Sequence, residues 1–147
     1  MIDSKYFDLA TEQIRLSHSY LLKNYIQLCN RYKHLKNRFK EKETEKLFSV
    51  IDLYFYDETG KINWDNICPL MPLNIEKRIK EKYNILTKNE IRLCCLLFFN
   101  ISYNDIADIL PYTQNSAHTI FHKIKQKTGI NDITITFKKH LLLEKIE

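Results

Sequence analysis

The chain has 147 residues with a formal charge of +5 from 23 basic and 18 acidic side chains, and it contains only two glycines and three prolines. That length can bury the core of one domain or two small ones without disulfide or metal staples, and so few backbone breakers point to an all-α fold. The charge divides as 15 basic against 12 acidic residues before Leu86 and 8 against 6 from there on, so net charge alone identifies no nucleic-acid partner.

In chain order, the first region, residues 1–60, has no proline, and its only glycine is Gly60. Phe7, Ile14, Leu21, Leu28 and Leu35 recur every seven residues, with His18, Tyr25, Tyr32 and Phe39 as a companion row. Taken as the d and a positions of a heptad, they predict a long coiled-coil-like helix. Leu22 and Cys29 widen the stripe, so a helical hairpin fits as well as a zipper. Phe7, Ile14, Leu21, Tyr25, Leu28, Tyr32, Leu35 and Phe39 are the candidates for pairing two chains. Leu47, Phe48, Ile51, Tyr54 and Phe55 make a second helical stripe, which either extends the first helix or folds back at the charged run Lys40 to Lys46. "VIDLYFYDETG" is also rich in β-formers and fits a strand.

Residues 61–85 read as a connector. Asp57 to Gly60 predicts a turn ahead of it, Pro69 and Pro72 bound an irregular stretch after Trp64, and Asn74 is placed to cap a short helix through about Lys82 that buries Ile75 and Ile79. This helix is expected to pack the connector onto the C-terminal domain.

Residues 86–147 carry the clearest signals. Thr87 with Glu90 is a capping box before the apolar run Ile91 to Phe99, and Asn100 suits the left-handed residue that ends a helix. Ser102 with Asp105 starts a short helix, Pro111 stops it, Thr113 caps the next, and Gly129 ends that one. Two helices joined by a short turn form a helix-turn-helix, whose second helix can enter the major groove of DNA. At 100° per residue, Ala117, Ile120, Phe121, Ile124 and Thr128 fall within about 100° of arc and form the buried face. The opposite arc holds Asn115, His118, Thr119, His122, Lys123 and Gln126, in a run from Pro111 to Ile130 without a single acid. Histidines four residues apart can share a metal ion, but no further ligand lies near them in sequence, so no metal is expected.

"LTKNEIRLCCLLFFNISYNDIADILPYTQNSAHTIFHKIKQKTGI" resembles the DNA-binding domain of LuxR/NarL-type response regulators over 45 residues. Leu86, Thr87 and Glu90 stand at the family's opening LTxxE and Ile106-Ala107 at its IA. Ser116-Ala117 stand at its Thr-Val, and Ile124, Lys127 and Gly129 at its closing IxxKxG. Asn100 replaces a usual glycine, Thr128 a usual leucine, and Pro111-Tyr112 is an unusual turn. The resemblance implies four helices, the last from Thr134 to about Lys145 with Ile135, Leu142 and Ile146 in apolar contact, and that last helix often helps dimerise the DNA-bound form. It also puts His118, Thr119 and His122 where the family reads bases; with Asn115 these are the base-reading candidates. Thr113, Lys123, Lys125, Gln126 and Lys127 are the phosphate candidates.

The expected function is a DNA-binding transcriptional regulator, acting as a homodimer on double-stranded DNA, with RNA polymerase as a further partner. The 85 residues before the resemblance are too few and too helical in pattern for an α/β receiver domain. Two alternatives stay open: a helical protein–protein interaction module that does not bind DNA, and a protein like sigma-factor region four. No Gly-rich phosphate loop, G-x-S-x-G or HExxH occurs, so neither an enzyme nor a cofactor is expected. Cys29, Cys68, Cys94 and Cys95 form no CxxC pair and read as free thiols. With no signal-peptide layout and no membrane-length apolar run, the expected location is the cytoplasm, away from the membrane.

Overall fold

The computed structural model describes residues 4–138. Among them lie eight α-helices and one 3-10 turn, and the only β pairing is an isolated antiparallel bridge between Tyr56 and Ile62. None of these helices is long and apolar enough to cross a membrane.

Helix α1 spans Ser4–Arg38 and α2 spans Lys42–Phe55. The chain turns back between them, so the two form a hairpin. The turn falls at residues 39–41, ahead of most of the charged run expected to hold it, because Glu43 and Glu45 favour the positive N-terminal end of α2. The strand reading of "VIDLYFYDETG" fails for the same segment: residues 50–55 are helical, and only Tyr56 becomes extended. Tyr32 fastens the hairpin, donating to the Phe48 carbonyl at 3.1 Å and to Asp52 at 2.7 Å. Lys36 also pairs with Asp52, and the Tyr56 hydroxyl donates to the Cys29 carbonyl at 2.9 Å.

The heptad rows are used differently from a zipper. Tyr25 and Tyr32 pack against Phe55 of their own chain, so their rings are engaged within the hairpin. The centre of the buried face is Leu22, Ile26 and Cys29. Leu22 and Cys29 each stand one position after a d residue, so the buried face lies about 100° around the helix from the d row. Ile14, Leu21, Leu28 and Leu35 are accordingly 41%, 46%, 51% and 48% exposed, Phe39 lies exposed in the turn, and Phe7 is half-buried.

After the turn at Asp57–Gly60, where Gly60 adopts φ 81°, come α3 (Trp64–Ile67), the 3-10 turn Cys68–Leu70 and α4 (Ile75–Lys82). Asn74 precedes α4 as expected but makes no side-chain cap; it and Leu73 both sit in the left-handed region, which turns the chain sharply into the helix. Glu76 of α4 accepts from the Trp64 indole at 2.8 Å. It also accepts at 3.2 Å from Arg92 of α5 (Lys88–Phe98), whose guanidinium lies 4.8 Å from the Trp64 ring centre. This carboxylate therefore locks the connector to α5.

Helix α5 begins with both halves of the Thr87–Glu90 capping box. It ends with Asn100 at φ 61° and with the amides of Asn100 and Ile101 bonded to the carbonyls of Leu97 and Leu96. That pairing is a Schellman motif, so asparagine supplies the backbone that a glycine would. Helices α6 (Tyr103–Ile106), α7 (Gln114–Thr128) and α8 (Ile133–Phe137) complete the unit, with α5 packed against α7 and α8. Helix α8 starts at an Asp132 cap rather than at Thr134, and it buries Ile133 and Phe137 while Ile135 faces out. Leu142 and Ile146 lie outside the described residues.

One apolar core runs from Leu22 to Phe137, across residues 60 and 85. Arg15 of α1 donates to the Phe98 carbonyl at 3.0 Å and pairs with Glu12, which also pairs with Lys138 after α8. His18 lies beside Phe99, with ring centres 6.4 Å apart and planes inclined by 57°, and its Nδ1 is 2.8 Å from the Leu70 carbonyl. Because a carbonyl only accepts, that nitrogen carries the proton. The four cysteines are free; burial pushes the Cys94 thiol up to about 12 and the Cys29 thiol up to about 11, which keeps both protonated.

Candidate nucleic-acid interface

Helix α7 and the segment before it are built by local hydrogen bonds. After α6 the amides of Ile109 and Leu110 bond to the Ile106 carbonyl, so the chain stays coiled to Leu110 and the turn proper is Pro111 to Thr113. Thr113 caps α7 by accepting from the Ser116 amide at 3.1 Å, and its own amide donates to the Ser116 hydroxyl at 2.8 Å. Helix geometry leaves the amides of Thr113, Gln114, Asn115 and Ser116 outside the ladder, and the cap satisfies those of Thr113 and Ser116. At the far end Gly129, at φ 74°, donates to the Lys125 carbonyl at 2.8 Å.

The predicted inner face packs inward: Ala117 and Ile124 are buried, and Ile120, Phe121 and Thr128 are half-buried. The Thr128 hydroxyl donates to the Ile124 carbonyl at 2.7 Å and accepts from the Ile130 amide at 3.3 Å, so a polar side chain at this position is satisfied within the helix end. Asn115, His118, Thr119, His122, Lys123 and Gln126 are all exposed on one face.

These side chains differ in how they are held. The His118 ring stacks on Tyr103 of α6, with centres 3.6 Å apart and planes inclined by 24°. Beside it Gln114 donates to the Asn104 side chain at 2.8 Å, tying the start of α7 to α6. Thr119 donates back to the Asn115 carbonyl at 3.2 Å, which directs its methyl group and its remaining oxygen lone pairs outward. His122 makes only a 3.5 Å approach to Gln126.

The basic residues separate in the same way. Lys123 is exposed, and Lys125 reaches over Phe121 with its nitrogen 4.9 Å from the ring centre. Lys127 is held differently from the other phosphate candidates: its ammonium lies 3.0 Å from both oxygens of Glu90. Thr113 likewise spends its hydroxyl and amide on the cap. Burial pushes the Glu90 carboxyl up, but the Thr87 amide and hydroxyl and the Lys127 ammonium outweigh it and hold the group below the usual carboxylate range.

Tyr103, Asn104 and Gln114 are the site residues that sequence reading misses. Ser102 as a helix cap marks where Tyr103 stands along the chain, but nothing local indicates that its ring meets a residue fifteen positions later. Among the described residues no group of three or more His, Cys, Asp or Glu side chains is placed to hold a metal ion. An open cleft of about 780 Å³ also lies between α1, α2 and the Asp57–Gly60 turn, but Tyr32, Lys36 and Asp52 in its lining already bond one another. Compared with known protein families, curated proteins and solved structures, the chain has no match in any of the three.

Proposed function

We propose that this chain is a DNA-binding transcriptional regulator that pairs through its N-terminal hairpin and lays the exposed face of α7 in the major groove. The observation that carries the reading is that face itself: six polar or basic side chains from Asn115 to Gln126 on a doubly capped helix, in a run without an acid. Asn115, His118, Thr119 and His122 supply donors and acceptors for base edges, while Lys123 and Lys125 supply charge for phosphate. The short α6, the turn and α7 support comparison with a helix-turn-helix, and the LuxR/NarL-type resemblance covers the same residues.

A fluorescence-anisotropy titration with random-sequence duplex DNA at 50 and 200 mM salt tests it. Binding at low salt that weakens steeply with salt is expected. No detectable binding at low salt would sink the reading.

Pairing of two chains is proposed through the exposed Leu21, Leu28 and Leu35 on α1 with Leu47 and Tyr54 on α2, because two linked modules gain from effective concentration. Sedimentation equilibrium of the wild type and of Leu21→Glu/Leu28→Glu tests this: a concentration-dependent dimer that the variant loses is expected. The same apolar surface favours a second reading, an interaction module that binds a different protein. A monomeric wild type that does not bind duplex DNA would favour that reading.

A further inference from the structure

We infer that Tyr103 is a positioning residue for His118, and that through this stack it determines base preference; the inference rests on the DNA-binding reading above. Both histidines of α7 are exposed on the candidate face, but only one is fixed. His118 lies flat on the Tyr103 ring, with centres 3.6 Å apart and planes inclined by 24°, whereas among the described residues His122 stacks on no ring and only approaches Gln126.

Tyr103 is a firm platform. It is the first residue of α6, where the Ser102 cap accepts from the Asp105 amide at 3.2 Å, and its half-buried ring packs against the core. The Gln114–Asn104 hydrogen bond fixes the spacing of α6 and α7 at the same place.

A ring held by its face keeps its edge available. The two nitrogens of the His118 imidazole lie on that edge, and a neutral imidazole offers one donor and one acceptor there. Immobilising a free side chain on binding opposes association, so a ring already held in one orientation loses less and discriminates more sharply between base edges. The chemistry that matches its single N–H is one acceptor on a purine edge in the major groove, such as N7 or O6 of guanine. His122, which is not held this way, contributes to contact without a fixed preference.

Two measurements on the full chain test this with Tyr103→Phe, which keeps the platform, and Tyr103→Leu, which removes it. In the free protein, the carbon-bound ring protons of His118 are expected upfield by NMR in the wild type and in Tyr103→Phe, and shifted back in Tyr103→Leu while the amide spectrum stays folded. Selection from a random 20-base-pair duplex library then reads base preference. Wild type and Tyr103→Phe are expected to enrich the same bases. Tyr103→Leu and His118→Gln should lose about tenfold of the enrichment at one shared base pair, and His122→Gln should keep it.

Unshifted His118 protons in the wild type would overturn the stack. A Tyr103→Leu protein with wild-type base preferences would overturn the positioning role while leaving DNA binding intact. A wild type that retains no duplex from the library would overturn the DNA-binding reading, and this inference with it, even if the ring protons are shifted.

Discussion

Lys127, near the end of α7, closes on the carboxylate that begins α5, standing 3.0 Å from each oxygen of Glu90. Glu90 therefore completes the capping box of one helix and anchors the orientation of another. Its side chain is 8% exposed against 39% for Lys127, so removing the lysine strands a nearly buried charge. Lys127→Met is expected to lower stability by about 1–2 kcal/mol, less than for a fully buried pair because water reaches the lysine. Glu90→Ala, which also loses the cap, should cost more. Urea unfolding at pH 7 measures both; an unchanged midpoint in Lys127→Met would show the pair to be inert.

The same pairing separates the lysines in binding. Each phosphate contact contributes about 0.9 to the slope of log affinity against log salt. Lys123→Ala is expected to reduce that slope by about one contact, whereas Lys127→Met should leave it unchanged. Anisotropy titrations over a salt series decide; equal slope changes in the two variants would return Lys127 to the phosphate set.

Two tyrosines on α1 that look alike in the heptad differ in the fold. Tyr32 bonds Phe48 and Asp52, while the buried Tyr25 hydroxyl makes no well-formed hydrogen bond among the described residues. Losing a made hydrogen bond to a carboxylate costs about 1–2 kcal/mol, whereas deleting an unpaired buried hydroxyl is close to neutral or favourable. Tyr32→Phe should therefore unfold at clearly lower urea than Tyr25→Phe. The reverse order would contradict the hairpin as described.

Acid should loosen the seam between α1 and α8. The Arg15 hydrogen bond, against opposing burial and with Lys138 adding to it, holds the Glu12 carboxyl down at about 2. A carboxylate depressed in the folded state stabilises it above its unfolded value of about 4.3, and that contribution is lost as pH falls through the folded value. Glu12→Gln is thus expected to be less stable than wild type at pH 7, with the gap shrinking between pH 4 and pH 2. Thermal melts across that range measure it, and a gap independent of pH would show Glu12 to be unpaired in solution.

Much of the helical layout is legible in the sequence because its signals are local. Thr87 with Glu90, Thr113 and Gly129 end their helices at the residues where their chemistry says they should. The inner face of α7 follows from its 3.6-residue period alone. What is not legible depends on partners distant in sequence. The a-row tyrosines could face a second chain or a returning helix, and only the position of Phe48, Asp52 and Phe55 decides between them. The ion pair of Lys127 is hidden because its counter-charge lies 37 positions away, and Tyr103 gives no sign of His118. Asp132 is a plain capping signal, yet the family resemblance draws the helix start to Thr134, one residue after the observed start at Ile133.

The junction of α1 with α5 has a practical consequence. Arg15 occupies the carbonyl of Phe98, and Phe99 is fully buried with His18 against its ring. A fragment begun at Leu86 would lose the Arg15 donor and the His18 ring beside Phe99, and with them the Leu22–Cys29 stripe. The C-terminal helices and α1 are consequently expected to melt together in one transition. Anything that grips α1 then acts on the same folding equilibrium that holds α7 in place, so a fragment lacking α1 is a poor surrogate for the whole chain in any binding measurement.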